Sequence, residues 1–156
     1  MFARASAVLL CALAVFGATS VVAAPLYQHT ARQIGDLQCN IDRLKIVGDI
    51  VAATATTNTL KSQLASDANG STQIAAVSSG LGNVSSGIDT IAAALFTGQD
   101  APAAARDQVA QGLTAAITAA NSITSTNSQV TSNVNKLKTQ LQAAESAGNG
   151  VVANCK

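Results

Sequence analysis

The chain has 156 residues, of which 48% are hydrophobic, 11% are charged and only 3% are aromatic. This length predicts one domain, and the shortage of aromatic residues predicts a core of Leu, Ile, Val and Ala. The 9 basic and 8 acidic residues nearly balance. No basic patch stands out, which argues against nucleic acid and anionic membrane surfaces as partners.

The N-terminus has the pattern of a secretory signal peptide. Arg4 supplies a positive charge, and a short apolar segment (VLLCALAV) and several small residues follow it. We predict a signal peptide over residues 1–23, with cleavage after Ala23 or Ala24, and a single helical-bundle domain over 25–156. A retained signal anchor is the alternative, which is less favoured because a membrane span needs roughly 20 apolar residues.

The first predicted helix runs from Asp36 to about residue 65, where apolar residues recur at steps of three and four. We expect its buried stripe to contain Ile34, Leu37, Ile41, Leu44, Val47, Val51, Leu60 and Leu64. Four threonines between residues 54 and 59 favour a bend or break, because β-branched residues are weak helix formers. Residues 67–71 (DANGS) predict a loop, with Ser71 as the next N-cap.

The second predicted helix has a strict alternation of three- and four-residue steps between apolar positions and ends at Gly98. We call this set the seam: Ile74, Val77, Leu81, Val84, Ile88, Ile91 and Leu95. Gly80, Gly82 and Gly87 weaken this helix, each by roughly 1 kcal/mol relative to alanine. Gly80 and Gly87 lie on one flank, where they are expected to let another helix approach closely.

Pro102 suits the first turn of a third helix, with Asp100 or Ala101 as its cap. Farther on, Asn127 falls at an apolar position within a polar stretch. We predict a break near residues 125–128, and one long helix is the alternative. Because no segment alternates with period two, the fold class is all-α, an up-and-down bundle of four to five amphipathic helices.

Cys39 and Cys155 are the two cysteines that remain after signal cleavage. In an oxidising compartment an even pair predicts one disulfide, and free thiols or an intermolecular bond are the alternatives. Residues 148–150 (GNG) are expected to end the last helix before Cys155. The sequons at Asn69 and Asn83 are candidate N-glycosylation sites, the first in the predicted loop and the second facing outward.

The sequence gives no positive support for an enzyme, a metal site or a cofactor. The single histidine, His29, lies near the mature N-terminus, where neither a catalytic triad nor a metal site is easily built around it. Asp36, Asp42 and Asp49 would place two carboxylates on one helical face, which is more often a solvated face than an acid–base pair. We therefore predict a non-enzymatic protein.

Residues 36–41 (DLQCNI) and 44–50 (LKIVGDI), with the Ala/Ser/Thr-rich helices that follow, resemble the fungal hydrophobic surface binding protein A family. That family is related to cell-wall galactomannoproteins. The resemblance implies a secreted or wall-associated helical protein that adsorbs to hydrophobic surfaces and recruits a polyester-degrading hydrolase to them. It also implies lipid binding, since related wall proteins bind fatty acids between their helices. The family offers no catalytic motif to carry over.

The expected function is therefore binding to hydrophobic surfaces or lipids, outside the cell or in the cell wall. One alternative is a soluble carrier with an internal cavity for a fatty acid or sterol, and another is a structural cell-wall mannoprotein. The seam is the first candidate for the contact, by a swing of the second helix out of the bundle. The first helix, between Ile41 and Val51, is the second candidate. No transmembrane segment is expected in the mature chain.

Overall fold

The computed structural model describes residues 37–155, so the predicted signal peptide and His29 lie outside the described residues. The described part contains four helices and no strand, which confirms the all-α bundle. The helices are α1 (Leu37–Gln63), α2 (Ala68–Phe96), α3 (Ala103–Asn121) and α4 (Ser128–Asn154).

The helices form two antiparallel pairs, because α1 packs most extensively on α4 and α2 on α3. A disulfide joins Cys39 at the start of α1 to Cys155 after α4, and at the opposite end Asn133 donates a hydrogen bond to Gln63 (3.0 Å). We call the first end the disulfide end. We call the other the connection end, because the short segments that link α1 to α2 and α3 to α4 both lie there.

A continuous core runs through all four helices. Its largest fully buried apolar side chains come mainly from the end of α1, the first half of α2 and the middle of α4, namely Leu60, Leu64, Ile74, Val77, Val84, Leu137 and Leu141. Toward the disulfide end the inner face of α2 becomes partly exposed, beginning at Ile88. The bundle is therefore most tightly closed on the side of the connections.

The threonines of α1 do not break the helix, as one form of the prediction had it, because the helix continues without interruption to Gln63. The hydroxyls of Thr54 and Thr59 each donate to the backbone carbonyl four residues earlier, at 2.8 and 3.2 Å. This local bond satisfies the hydroxyl inside the helix, so a threonine run need not end it. Tertiary packing of α1 against α4 then outweighs the modest propensity cost.

Two predicted caps are also wrong. Asp67, not Ser71, caps α2, and its carboxylate accepts a hydrogen bond from the backbone N–H of Gly70 (2.8 Å). The carboxylate oxygens of an Asp side chain can accept a hydrogen bond from an N–H group in the first turn of the helix, as an N-cap residue does. The cap position of α3 is Pro102 itself, without a side-chain hydrogen bond, so neither Asp100 nor Ala101 has that role.

The break near Asn127 is confirmed, since α3 ends at Asn121 and α4 begins at Ser128. The Asn127 side chain accepts hydrogen bonds from the N–H groups of Gln129 (2.9 Å) and Val130 (3.3 Å). It is therefore an N-cap and is exposed, which removes the cost of a polar group at an apolar position.

The predicted end of the last helix at residues 148–150 is wrong, because α4 continues to Asn154. The reason is a close approach between helices. A Cβ atom on Gly150 would lie 2.7 Å from Oδ2 of Asp42 on α1, so glycine is required there for packing and not for termination.

Candidate functional site

The disulfide confirms the predicted pairing of the two mature cysteines. Cys39 and Cys155 are bonded, with their Cα atoms 5.0 Å apart and a sequence separation of 116 residues. In the chain-entropy model a loop of that length stabilises a fold by about 4–5 kcal/mol. The bond fixes which face of α1 looks toward α4, because Cys39 is buried against the last turn of that helix.

A polar cluster around the buried side chain of Asp42 accompanies the disulfide. Its carboxylate accepts hydrogen bonds from Gln38 Nε2 (3.0 Å) and Asn154 Nδ2 (2.8 Å), and Lys45 Nζ lies 3.9 Å away. These contacts satisfy a group that would be costly to bury alone. The geometry gives Asp42 a role in joining α1 to α4, and Asp36, its proposed carboxylate neighbour, lies outside the described residues.

The buried face of α1 differs from the predicted one. It consists of Cys39, Asp42, Ile46, Ile50, Ala53, Thr56, Thr57 and Leu60. Four residues that we expected in the core are instead exposed, with accessible fractions of 75% for Leu37, 71% for Leu44, 44% for Val47 and 65% for Val51. We call these four residues the outer stripe. The expectation for them is wrong because the first half of α1 carries apolar residues on two faces, and only one of those faces contacts the bundle.

The outer stripe forms a narrow apolar band along α1. Leu37, Leu44 and Val51 are spaced by seven residues, nearly two helical turns, and therefore lie in a row about 21 Å long. At 100° per residue, the charged residues of this segment fall outside the sector that the row occupies; they are Asp42, Arg43, Lys45 and Asp49. Burial lowers the pKa of Arg43, although a guanidinium stays charged at any physiological pH.

The other large apolar side chains exposed in the described part lie toward the same end of the molecule. Phe96, the last residue of α2, is 83% exposed, and Val152, in the last turn of α4, is 72% exposed. Since both positions belong to the disulfide end, the exposed apolar groups concentrate on that side of the bundle. Polar and small residues dominate the exposed positions at the connection end.

The seam of α2 divides into two parts. Ile74, Val77, Leu81 and Val84 are buried in the core, whereas the last three members, Ile88, Ile91 and Leu95, are only partly buried. A surface would reach the first part only after the bundle opened. The second part lies near the disulfide end, and the bundle would need less rearrangement for a surface to reach it.

The predicted close approach at Gly80 and Gly87 is confirmed. A Cβ on Gly80 would lie 2.7 Å from the carbonyl oxygen of Gly112 on α3, and one on Gly87 would lie 2.9 Å from the carbonyl oxygen of Ala105. Gly112, the matching glycine of α3, has no distinguishing pattern around it in the sequence. By contrast, a Cβ on Gly82 would meet nothing within 4 Å.

The two sequons are exposed, but only one lies where it was expected. Asn69 is in the first turn of α2 and not in a loop, because Asp67 starts the helix early. Asn83 faces outward, as predicted, beside an open groove of about 490 Å³ between α2 and α3. The groove also contains Asp107 and Gln108, so it is not the closed apolar cavity that a lipid carrier would need.

Across residues 37–155, no group of three or more His, Cys, Asp or Glu side chains is placed to hold a metal ion. No helix in this range is both long and apolar enough to cross a membrane. Comparison of the chain with protein-family models, curated proteins and solved structures found no significant match.

Proposed function

We propose that this protein is an exported, non-enzymatic helical bundle that adsorbs to hydrophobic surfaces through the outer stripe of α1. The observation that carries the proposal is the row formed by Leu37, Leu44 and Val51, which is exposed although the opposite face of the same helix is well buried. The resemblance to hydrophobic surface binding proteins supports the same function. Export rests on the signal-peptide pattern of residues 1–23.

The physical basis is transfer of apolar area out of water without burial of charge. Removing apolar surface from water contributes about 25 cal/mol per Å², and a fully buried Leu or Val contributes about 1.5–3 kcal/mol. The sector around Leu44 and Val51 contains small, uncharged neighbours such as Gly48 and Ala55. Contact with an oil or polymer therefore carries little desolvation cost.

A second copy of the chain fits the outer stripe less well than an extended surface does. A specific protein interface of standard size engages roughly 20–30 residues on each side. The outer stripe has four residues on one helix, so it is too narrow to hold a stable dimer by itself. An extended apolar surface needs no complementary patch of that size, and Phe96 and Val152 are further exposed apolar groups toward the same end of the bundle.

The alternatives rest on weaker support. The groove beside Asn83 is open and partly polar, so it does not favour a fatty-acid or sterol carrier. A structural cell-wall mannoprotein would use the exposed sequons at Asn69 and Asn83. Recruitment of a polyester hydrolase and location in the cell wall rest on the family resemblance alone.

The test is adsorption of the secreted protein to alkyl-coated silica particles. We expect Leu44→Ser with Val51→Ser to weaken adsorption about tenfold or more, because loss of 1.4 kcal/mol changes an equilibrium constant tenfold. The melting temperature should change little, because both side chains are exposed. The control is Thr72→Ser with Ala76→Ser, two exposed positions of α2 near the connection end.

Equal adsorption of the double variant and the parent would contradict the outer stripe as the contact. Sedimentation of the parent in solution tests the rival occupant of the stripe. A dimer that the same two substitutions dissociate would replace the hydrophobic surface with a second copy of the chain.

A further inference from the structure

The two helix pairs are joined by the chain at one end only. Residues 64–67 link α1 to α2, and residues 122–127 link α3 to α4, both at the connection end. At the other end, residues 97–102 join α2 to α3, and the disulfide joins α1 to α4. Each link at the disulfide end therefore lies within a pair, and no described covalent link holds the pairs together there.

Noncovalent contacts follow the same division. Packing inside each pair is much more extensive than packing between the pairs. A side-chain hydrogen bond between the pairs, from Lys61 Nζ to Ser78 Oγ (2.8 Å), lies near the connection end. Along the inner face of α2, burial decreases from Val84, which is fully buried, to Ile88 and Leu95, which are partly exposed. Among the described residues, the apolar interface between the pairs is thus least buried at the disulfide end.

The glycine contacts make α2 and α3 one mechanical unit. Gly80 and Gly112 bring the two backbones so close that neither has room for a Cβ, and Gly87 packs against Ala105 and Val109 in the same way. Movement of α2 alone would break these contacts as well as its contacts with the core. Movement of α2 together with α3 preserves them, and both flanking connections allow it because they lie at the same end.

We infer that the α2–α3 pair swings as a rigid body away from the α1–α4 pair, about the two connections, when the protein meets an apolar surface. The swing exposes Ile88, Ile91 and Leu95 at the end where the outer stripe already contacts the surface. The disulfide keeps the α1–α4 pair closed during the movement. The inference rests on the proposed function for its trigger, whereas the moving unit follows from the topology and the glycine contacts.

The experiment measures distances between spin labels attached to introduced cysteines, with the native disulfide intact. One label pair, Asp89→Cys with Glu145→Cys, reports between α2 and α4. The control pair, Asp89→Cys with Asp107→Cys, reports within the α2–α3 pair. All three positions are exposed. Double electron–electron resonance is recorded for each variant in solution and on alkyl-coated silica particles.

α2 is about 43 Å long, so a swing of about 20° moves its far end by about 15 Å. Position 89 lies about 32 Å along α2 from its start, so the same swing moves it by about 11 Å. We expect the distance between positions 89 and 145 to increase by about 11 Å on the particles, while the distance between positions 89 and 107 stays constant. If both distances stay constant on adsorbed protein, the swing is overturned and the proposed function stands. If both change, the α2–α3 pair is not rigid and the inference is also overturned. Failure of the unlabelled protein to adsorb overturns the proposed function instead.

Discussion

The two helices of each pair are joined by different kinds of interaction in the two pairs. The α1–α4 pair is joined by a disulfide and by side-chain hydrogen bonds that reach across the pair, among them Asn154 to Asp42 and Thr56 to Gln140. The α2–α3 pair is joined by backbone contact at Gly80, Gly87 and Gly112. A bundle with few aromatic residues can therefore gain cohesion either from covalent and polar links or from very close helix approach.

The largest expected effect comes from breaking the covalent link. Replacing Cys39 and Cys155 together by serine should lower the free energy of unfolding by about 4 kcal/mol, because the unfolded chain regains the entropy of a long loop. Chemical denaturation of the secreted double variant measures this change. A loss below about 1 kcal/mol would show that the α1–α4 pair does not depend on the disulfide.

The next effect concerns the close approach of α2 and α3. Gly112→Ala should lower the free energy of unfolding by about 1–3 kcal/mol, because its Cβ would lie 2.8 Å from the carbonyl oxygen of Gly80 and 3.0 Å from the backbone N of Val84. Thermal and denaturant unfolding measure the change. Alanine at Gly80 or Gly87 should also lower the free energy of unfolding, because neither methyl group has room.

Gly82→Ala, on the facing helix α2, is the matched control. A Cβ there meets nothing within 4 Å, so alanine should raise the free energy of unfolding by about 0.5–1 kcal/mol through better helix propensity. If Gly82→Ala and Gly112→Ala change stability in the same direction, close packing does not distinguish these glycines.

An effect of similar size distinguishes two neighbouring threonines of α1. Thr57 is buried, and its hydroxyl has no hydrogen-bond partner among the described residues, so Thr57→Val should raise the free energy of unfolding by about 1 kcal/mol. Thr56→Val should lower it by a similar amount, because that hydroxyl bonds Gln140 (2.9 Å) across the pair. Thermal unfolding of both variants checks the signs. If Thr57→Val instead destabilised the protein and Thr56→Val stabilised it, the hydrogen bonding assigned to these two hydroxyls would be incorrect.

The sequence predicted much of the fold because periodic apolar residues and strong local signals agree for α2, for the break at Asn127 and for the disulfide. It failed on α1 because that helix has two apolar faces and apolar counts cannot rank them. The predicted disulfide could have identified the buried face, because Cys39 must face α4. Ile46 lies two turns after Cys39 on the same face, whereas Leu44 lies about 140° from Cys39 around the helix.

Other features depend on contacts between residues far apart in the chain, which no local pattern reveals. The GNG segment of α4 looks like a helix end, yet Gly150 is there to accommodate Asp42. Gly112 has no distinguishing neighbours in sequence, and only its position opposite Gly80 explains it. For the contact surface that we propose, the sequence indicated an apolar helical face and named α1 between Ile41 and Val51 as the second candidate, but it did not reveal which apolar residues of α1 are exposed.

The most direct test of the outer stripe is to observe which face of the bundle touches the surface. A polarity-sensitive fluorophore can be attached at Gly48→Cys, which lies beside the stripe in open space, and separately at Ala76→Cys, which is exposed near the connection end. On alkyl-coated silica particles, the label at position 48 should shift its emission to shorter wavelength and lose quenching by aqueous iodide, while the label at position 76 should do neither. A larger response at position 76 than at position 48 would contradict adsorption through the outer stripe.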